Sequence, residues 1–91
     1  MKKMKLVVPR SFAEYLDGET EITIQAKSRN ELKDEIKNIS SGLYRRIYDE
    51  VGNTRVFVKF FLGKRMLSED EDIRFSEEED TITVVSAVAG G

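Results

Sequence analysis

The 91-residue chain contains no cysteine, no histidine and no tryptophan, and only one proline. Each blank excludes chemistry. Without cysteine there is no disulfide framework, thiolate nucleophile, cysteine-ligated zinc or iron–sulfur site. Without histidine there is no Ser-His-Asp relay and no histidine-ligated metal centre. Function is left to carboxylates, amines, hydroxyls, the backbone or the chain ends. Long hydrophobic runs are missing too. The opening Met1-Lys2-Lys3-Met4-Lys5-Leu6-Val7-Val8 is basic, but its apolar run stops at Pro9 and Arg10. That is too short for a signal h-region, and no later run approaches the ~20 apolar residues of a membrane span. The lack of cysteine fits a reducing compartment. The expectation is a cytoplasmic chain with no membrane partner.

Charge is plentiful, at 35% of residues, and unevenly placed. Residues 69–80 carry eight acids against Arg74, a net of −7, while the rest of the chain carries +5. The block reads as a solvated loop around a short strand, or as a docking patch for a basic partner. Glu69-Asp70-Glu71-Asp72 lacks the glycine and alternate spacing of an EF-hand loop, so no metal site is assigned. The bases are scattered without a dense stripe, which argues against nucleic acid.

Alternation and helical spacing give the layout. Met4, Leu6 and Val8 mark a first strand, and Glu21-Ile22-Thr23-Ile24-Gln25-Ala26 a second. Between them Asp17-Gly18 signals a turn, and Phe12, Tyr15 and Leu16 are placed to pack back on the core. Ser28-Arg29-Asn30-Glu31 is a capping box, and Leu32, Ile36, Ile39 and Leu43 follow at helical spacing. Ser40-Ser41-Gly42 ends or bends that helix, with Leu43, Ile47 and Val51 continuing it as far as Gly52-Asn53. Residues 55–62 form the most strand-like segment, Gly63-Lys64 turns it, and Met66-Leu67 makes a short return. Residues 81–87 form the last strand. Crossovers between parallel strands are right-handed, which prunes the arrangements to few. The fold class is α+β: a β-grasp, with a mixed sheet of about four or five strands packed on one main helix. Residues 1–87 are one domain and residues 88–91 a flexible tail. The expected core is Met4, Leu6, Val8, Ile22, Ile24, Leu32, Ile36, Ile39, Val56, Val58, Phe60, Ile82 and Val84.

Two side chains qualify as a docking face. Phe57 and Phe61, with Lys59 between them, alternate to the face opposite Val56, Val58 and Phe60. Either Phe12, Tyr15 or the Tyr44–Tyr48 segment covers them, or they are exposed for a partner. The chain closes on Gly90-Gly91, a roughly 0.5% event from average glycine usage. A tail without Cβ atoms passes a narrow channel and adopts backbone angles barred to other residues. It suits a carboxylate that enters another protein's active site and is activated there by adenylation. Gly63-Lys64 lacks the rest of a phosphate-binding loop, so the nucleotide belongs to the partner.

With Ala87-Val88-Ala89-Gly90-Gly91 at the end of this layout, the chain resembles the ubiquitin-like sulfur carriers. These comprise the small subunit of molybdopterin synthase, the thiamine-pathway sulfur carrier and the archaeal small modifiers. The resemblance implies that the Gly91 carboxylate is adenylated by an activating enzyme of the ubiquitin-activating type, which uses ATP. The product becomes a thiocarboxylate and donates its sulfur, with Val88, Ala89 and Gly90 threading the partner's channel. It implies the large subunit of molybdopterin synthase, or another sulfur acceptor, as second partner. No bound cofactor, metal or catalysis by the chain alone is implied. Where many molybdopterin-synthase small subunits carry Pro-Pro, this chain has Ser86-Ala87. Where a conjugating ubiquitin carries arginine before the glycine pair, it has Ala89. A protein modifier attached to lysines through the terminal glycine, and a non-catalytic interaction module, remain as alternatives.

Overall fold

In the computed structural model the described residues are 3–67, 74–75 and 80–87. Five strands form one sheet: β1 (Lys3–Val7), β2 (Glu21–Gln25), β3 (Val58–Leu62), β4 (Arg65–Met66) and β5 (Thr81–Ser86). Two α-helices, α1 (Arg29–Ile39) and α2 (Ser41–Ile47), and a 3-10 helix over Arg10–Leu16 connect them. The order across the sheet is β2-β1-β5-β3-β4. Only β1 and β5 are parallel, in register at Lys5–Thr81, Leu6–Ile82 and Val7–Thr83. The other neighbours are antiparallel. This is the β-grasp that the alternation and length limits lead to, with five strands.

Local chemistry explains where the helices start and stop. The Ser28 hydroxyl accepts from the Glu31 amide at 3.2 Å, as an N-cap should. The returning arm of the box lands one residue upstream of its usual target: Glu31 Oε1 accepts from the Lys27 amide at 3.1 Å. α1 then buries Leu32 and Ile36 completely. Ser40 adopts extended angles that interrupt the helix, and its own hydroxyl accepts from the Leu43 amide at 3.1 Å to start α2. The helical row is broken there, so Ile39 falls at the outer edge of α1, 42% exposed, and is not core. Leu43 and Ile47 take over the burial from α2. The break expected over Ser40-Ser41-Gly42 thus falls at Ser40, and Gly42 lies inside α2. A Cβ there would come within 2.6 Å of Tyr15 Cδ1, so glycine lets α2 close on the 3-10 helix. The helix does not run on to Val51. Asp49 Oδ1 instead accepts from the amides of Val51 and Asn53, both at 2.9 Å, and holds a turn.

The expected strand over residues 55–62 begins three residues later than its composition suggests. The Val58 amide donates to the Arg55 carbonyl at 3.0 Å, which makes residues 55–58 a turn. Val56 therefore points away at 85% exposure and leaves the core list. From Val58 the alternation is regular, with Val58, Phe60 and Leu62 buried against the helices. Ile22 is partly buried at the core's margin. Phe12, Leu16, Tyr48, Leu67 and Phe75 add to the core from outside the strands and α1. Phe75 is the buried anchor of the acidic segment: its amide donates to the Lys27 carbonyl at 2.9 Å, and Arg74 bridges Ser28. Glu69 to Asp72 and Glu77 to Glu79 lie outside the described residues.

One buried corner is polar. Arg29 is 7% exposed, its guanidinium lies 5.4 Å from the Phe60 ring centre, and its Nη2 donates to Thr54 Oγ1 at 3.3 Å. Tyr48 packs near the same ring, its own centre 6.1 Å away, with a buried hydroxyl that has no partner among the described residues. Burial pushes the Tyr48 phenol well above its usual value, since the phenolate would lose its hydration.

Two stability predictions follow from this packing. Gly42→Ala should cost about 1–3 kcal/mol in denaturant unfolding through overpacking, and less when Tyr15→Ala is also present. For Tyr48 the folded-state pKa is raised, so its contribution is complete below the unfolded-state value of ~10 and is lost as pH rises above it. The loss is about 1.4 kcal/mol per pH unit. Tyr48→Phe should flatten that alkaline limb without loss of stability near neutrality, because the hydroxyl it removes is unsatisfied.

Candidate functional site

The site is organised by the end of β5. Beyond Ser86 the Ala87 amide donates to the Phe57 carbonyl at 2.8 Å, which fastens the last described residue to the turn before β3. Val88, Ala89, Gly90 and Gly91 lie outside the described residues. What the structure defines is therefore the root of the tail and the two surfaces that flank it.

The first surface is the sheet face turned away from the helices. Strand register places its residues. Phe61 stands opposite Met66 on one side and Thr83 on the other, and Thr83 is in register with Val7 of β1. Residues paired across a sheet share a face, so Met66, Phe61, Thr83 and Val7 form a row across four strands. Val85 lies two residues from Thr83 on the same face, opposite Lys59. Met66 and Val85 are exposed, and Phe61 and Val7 are partly so. Val7, Phe61, Met66 and Val85 form an apolar band here, interrupted by Thr83 and Lys59 and bordered on β1 by Lys3 and Lys5.

Phe57 is not on it. It sits in the turn ahead of β3, where strand alternation does not apply, and it packs against the hydrophobic core. The expected Phe57–Phe61 pair is thereby split between the two sides of the sheet. Met66 and Val85 were absent from the sequence reading of this face. Val85 was legible from its alternation with Ile82 and Val84, whereas Met66 needed the β3–β4 register.

The second surface lies on the helix side. Ser11, Phe12, Arg45, Arg46, Arg55, Phe57 and Ser86 line a cleft of about 320 Å³. Arg45 and Arg46 come from the end of α2, and Arg55 from the turn before β3. Arg55 Nε donates to the Arg45 carbonyl at 2.9 Å, and the Arg46 guanidinium lies 5.8 Å from the Tyr15 ring centre. Three separate positions thus bring positive charge to the root of the tail. Their proximity comes from α2 packing beside the turn before β3, and the bases form no dense stripe along the sequence.

Neither surface carries a reactive group. Tyr48 and Asp49 have displaced pKa values, and neither lines the cleft. The Asp49 carboxyl is held below its usual range chiefly by the Asn53 amide, then by the amides of Val51 and Gly52 and the charge of Arg55. No cluster of three or more carboxylates able to hold a metal ion occurs among the described residues. None of their helices is long and apolar enough to cross a membrane.

A mixed sheet of order β2-β1-β5-β3-β4 wrapped on a capped helix, with β1 parallel to β5, is the ubiquitin-like β-grasp fold. Solved structures of that fold superpose along nearly the whole chain. A chain of the BexX/CysO complex of Amycolatopsis orientalis matches with a TM-score of 0.81 at 19% identity, covering 97% of this chain and 99% of that one. CysO of Mycobacterium tuberculosis, described as an antigen, gives 0.79 at 15% identity, over 93% and 99% of the two chains. SAMP1 of Haloferax volcanii gives 0.76 at 14% identity, over 98% and 99%. No protein-family profile and no curated protein sequence matches.

The two faces of β3 should respond differently to truncation. Phe60→Ala should cost about 3–5 kcal/mol in denaturant unfolding. Phe61→Thr should stay within about 1 kcal/mol, because its side chain meets only cross-strand neighbours on an open face.

Proposed function

We propose that the protein is a sulfur carrier: its terminal Gly91 carboxylate is adenylated by a partner and converted to a thiocarboxylate that hands on sulfur. The observation that carries the reading is the junction at Ala87. A rigid β-grasp body ends there in four small residues, flanked by an apolar band on the outer sheet face. No acid–base pair, thiol or metal cluster lies beside that junction among the described residues. The body has the form of a handle, and the chemistry falls to the tail and its partners.

A carboxylate is a poor electrophile. Transfer of an adenylyl group from ATP, with loss of pyrophosphate, makes it a mixed anhydride that a sulfur nucleophile can attack with loss of AMP. Both steps require the tail to enter a site on another protein, and Gly90-Gly91 offers no side chain to obstruct entry. Phe61, Val85 and Met66 would seat the body against that protein, with the tail directed into its channel. The side chains of this chain cannot perform the activation, so in this reading it acts as cosubstrate and not as an enzyme. An activating enzyme of the ubiquitin-activating type and a sulfur acceptor are the partners, in the cytoplasm.

The fold neighbours support this reading by their character. CysO is found in complex with BexX, and the Haloferax protein is a small archaeal modifier. They do not favour the large subunit of molybdopterin synthase as the acceptor, and the proposal is made for sulfur transfer as such. Conjugation to lysines through the same glycine is the second reading, favoured by the modifier neighbour.

The test is intact-mass measurement of the chain after co-expression with candidate activating enzymes and a sulfur source. The expected result is replacement of one terminal oxygen by sulfur, abolished on deletion of Gly90 and Gly91 and strongly reduced in Val85→Asp. A folded chain that never acquires sulfur with any such partner rejects the carrier reading. Lysine-linked remnants of the tail in cell digests would instead establish the modifier.

A further inference from the structure

The arginine cleft is on the opposite side of the sheet from the apolar band, and nothing in the sulfur chemistry uses it. We propose that it is a second docking site, which receives an acidic segment of a partner protein, one presenting neighbouring Asp or Glu side chains. The inference does not rest on what the tail carries.

The structural duties of these arginines are small. Basic side chains near the end of α2 complement its dipole, and Arg55 Nε satisfies the Arg45 carbonyl. Neither duty requires three guanidinium groups to share one cleft. Arg45 and Arg46 are exposed, and no described carboxylate lies within ion-pair distance of any of the three arginines. The nearby Asp49 is already occupied by the amides of its own turn.

Like charges held together favour an anionic occupant, and guanidinium forks match carboxylates in bidentate geometry. Three guanidinium groups on adjoining positions call for an occupant with several neighbouring carboxylates. Arg45 and Arg46 stand on α2, and Arg55 is fastened to the end of the same helix, its amide donating to the Ile47 carbonyl at 2.9 Å, with Phe57 and Ser86 lining the cleft beside them. A peptide lying along the cleft can offer each guanidinium its own carboxylate. The apolar wall from Phe57 accommodates the methylene groups of glutamate. A partner that engaged both the cleft and the apolar band would grip the root of the tail from two sides, and the cleft contact would speed encounter at low ionic strength.

The experiment is a titration of the isotopically labelled full chain, followed by amide and arginine side-chain NMR at low salt. The probe is a short poly-glutamate peptide, with poly-lysine and inorganic phosphate at equal concentration as controls. The expected shifts concentrate at Arg45, Arg46, Arg55, Phe57 and Ser86, and fade as salt is added. The charge reversal Arg45→Glu with Arg46→Glu, at two exposed positions, should weaken binding at least about tenfold while the rest of the spectrum keeps its folded dispersion. Arg55→Lys, which keeps the charge and loses the fork, should fall between. Shifts spread over all basic residues, or unchanged by the reversal, overturn the proposal. So does an equal response to phosphate, which marks a small-anion site. Concentration-dependent broadening of the same amides without peptide also overturns it, by assigning the cleft to a second copy of the chain.

Discussion

Everything in this fold hangs on the pairing of β1 with β5. It is the sheet's only parallel contact, it joins strands more than seventy residues apart, and it occupies the middle of the sheet. Leu6 and Ile82, adjacent in that register, are both fully buried. Antiparallel neighbours can be joined by tight turns, but a parallel pair needs a crossover with a body of its own. The intervening chain supplies it: α1 and α2 cover one face, and β3 with β4 extends the sheet beyond β5. The same pairing sets the last strand's direction and hence where the tail emerges.

That arrangement gives the tail's root two unlike sides. The face turned from the helices collects Val7, Phe61, Met66 and Val85 because a period of two leaves them there once Leu6, Phe60 and Val84 face the core. The helix side collects arginines because α2 ends and the turn before β3 begins beside the end of β5. One side is apolar and built by regular alternation. The other is cationic and built by irregular segments.

The regular parts of the molecule were legible from the sequence, and the irregular parts were not. Strand alternation at residues 4–8, 22–24 and 82–84, and the Ser28 cap with Leu32 and Ile36 behind it, each expose one burial face, so they read directly. The failures share a cause. Val56, Phe57 and Ile39 were placed by continuing a periodic pattern through a residue where the backbone changes state: the Arg55–Val58 turn for the first two, and extended Ser40 for the third. The break at Ser40-Ser41-Gly42 is legible from composition, whereas the close approach of Gly42 to Tyr15 is a tertiary fact. Phe75, a lone aromatic among acids, has no local pattern at all and is recognisable only by its pairing with Lys27. The arginine cleft was invisible for a similar reason, since proximity of Arg45 to Arg55 depends on how a loop folds.

The central place of β5 also bears on how the molecule is made. Synthesis runs from the N-terminus, so β1, β2 and both helices leave the ribosome before the strand that must lie between β1 and β3. Until residues 81–86 arrive, the sheet is two hairpins without a middle, and Leu6 and Phe60 have no common core to enter. Completion of the sheet therefore waits on β5. A chain that has not closed its sheet lacks the Ala87–Phe57 clasp and the aligned Phe61 and Val85 that mark the exit. The bond from Ala87 to Phe57 and the outward setting of Phe61 and Val85 thus all depend on β5 lying between β1 and β3.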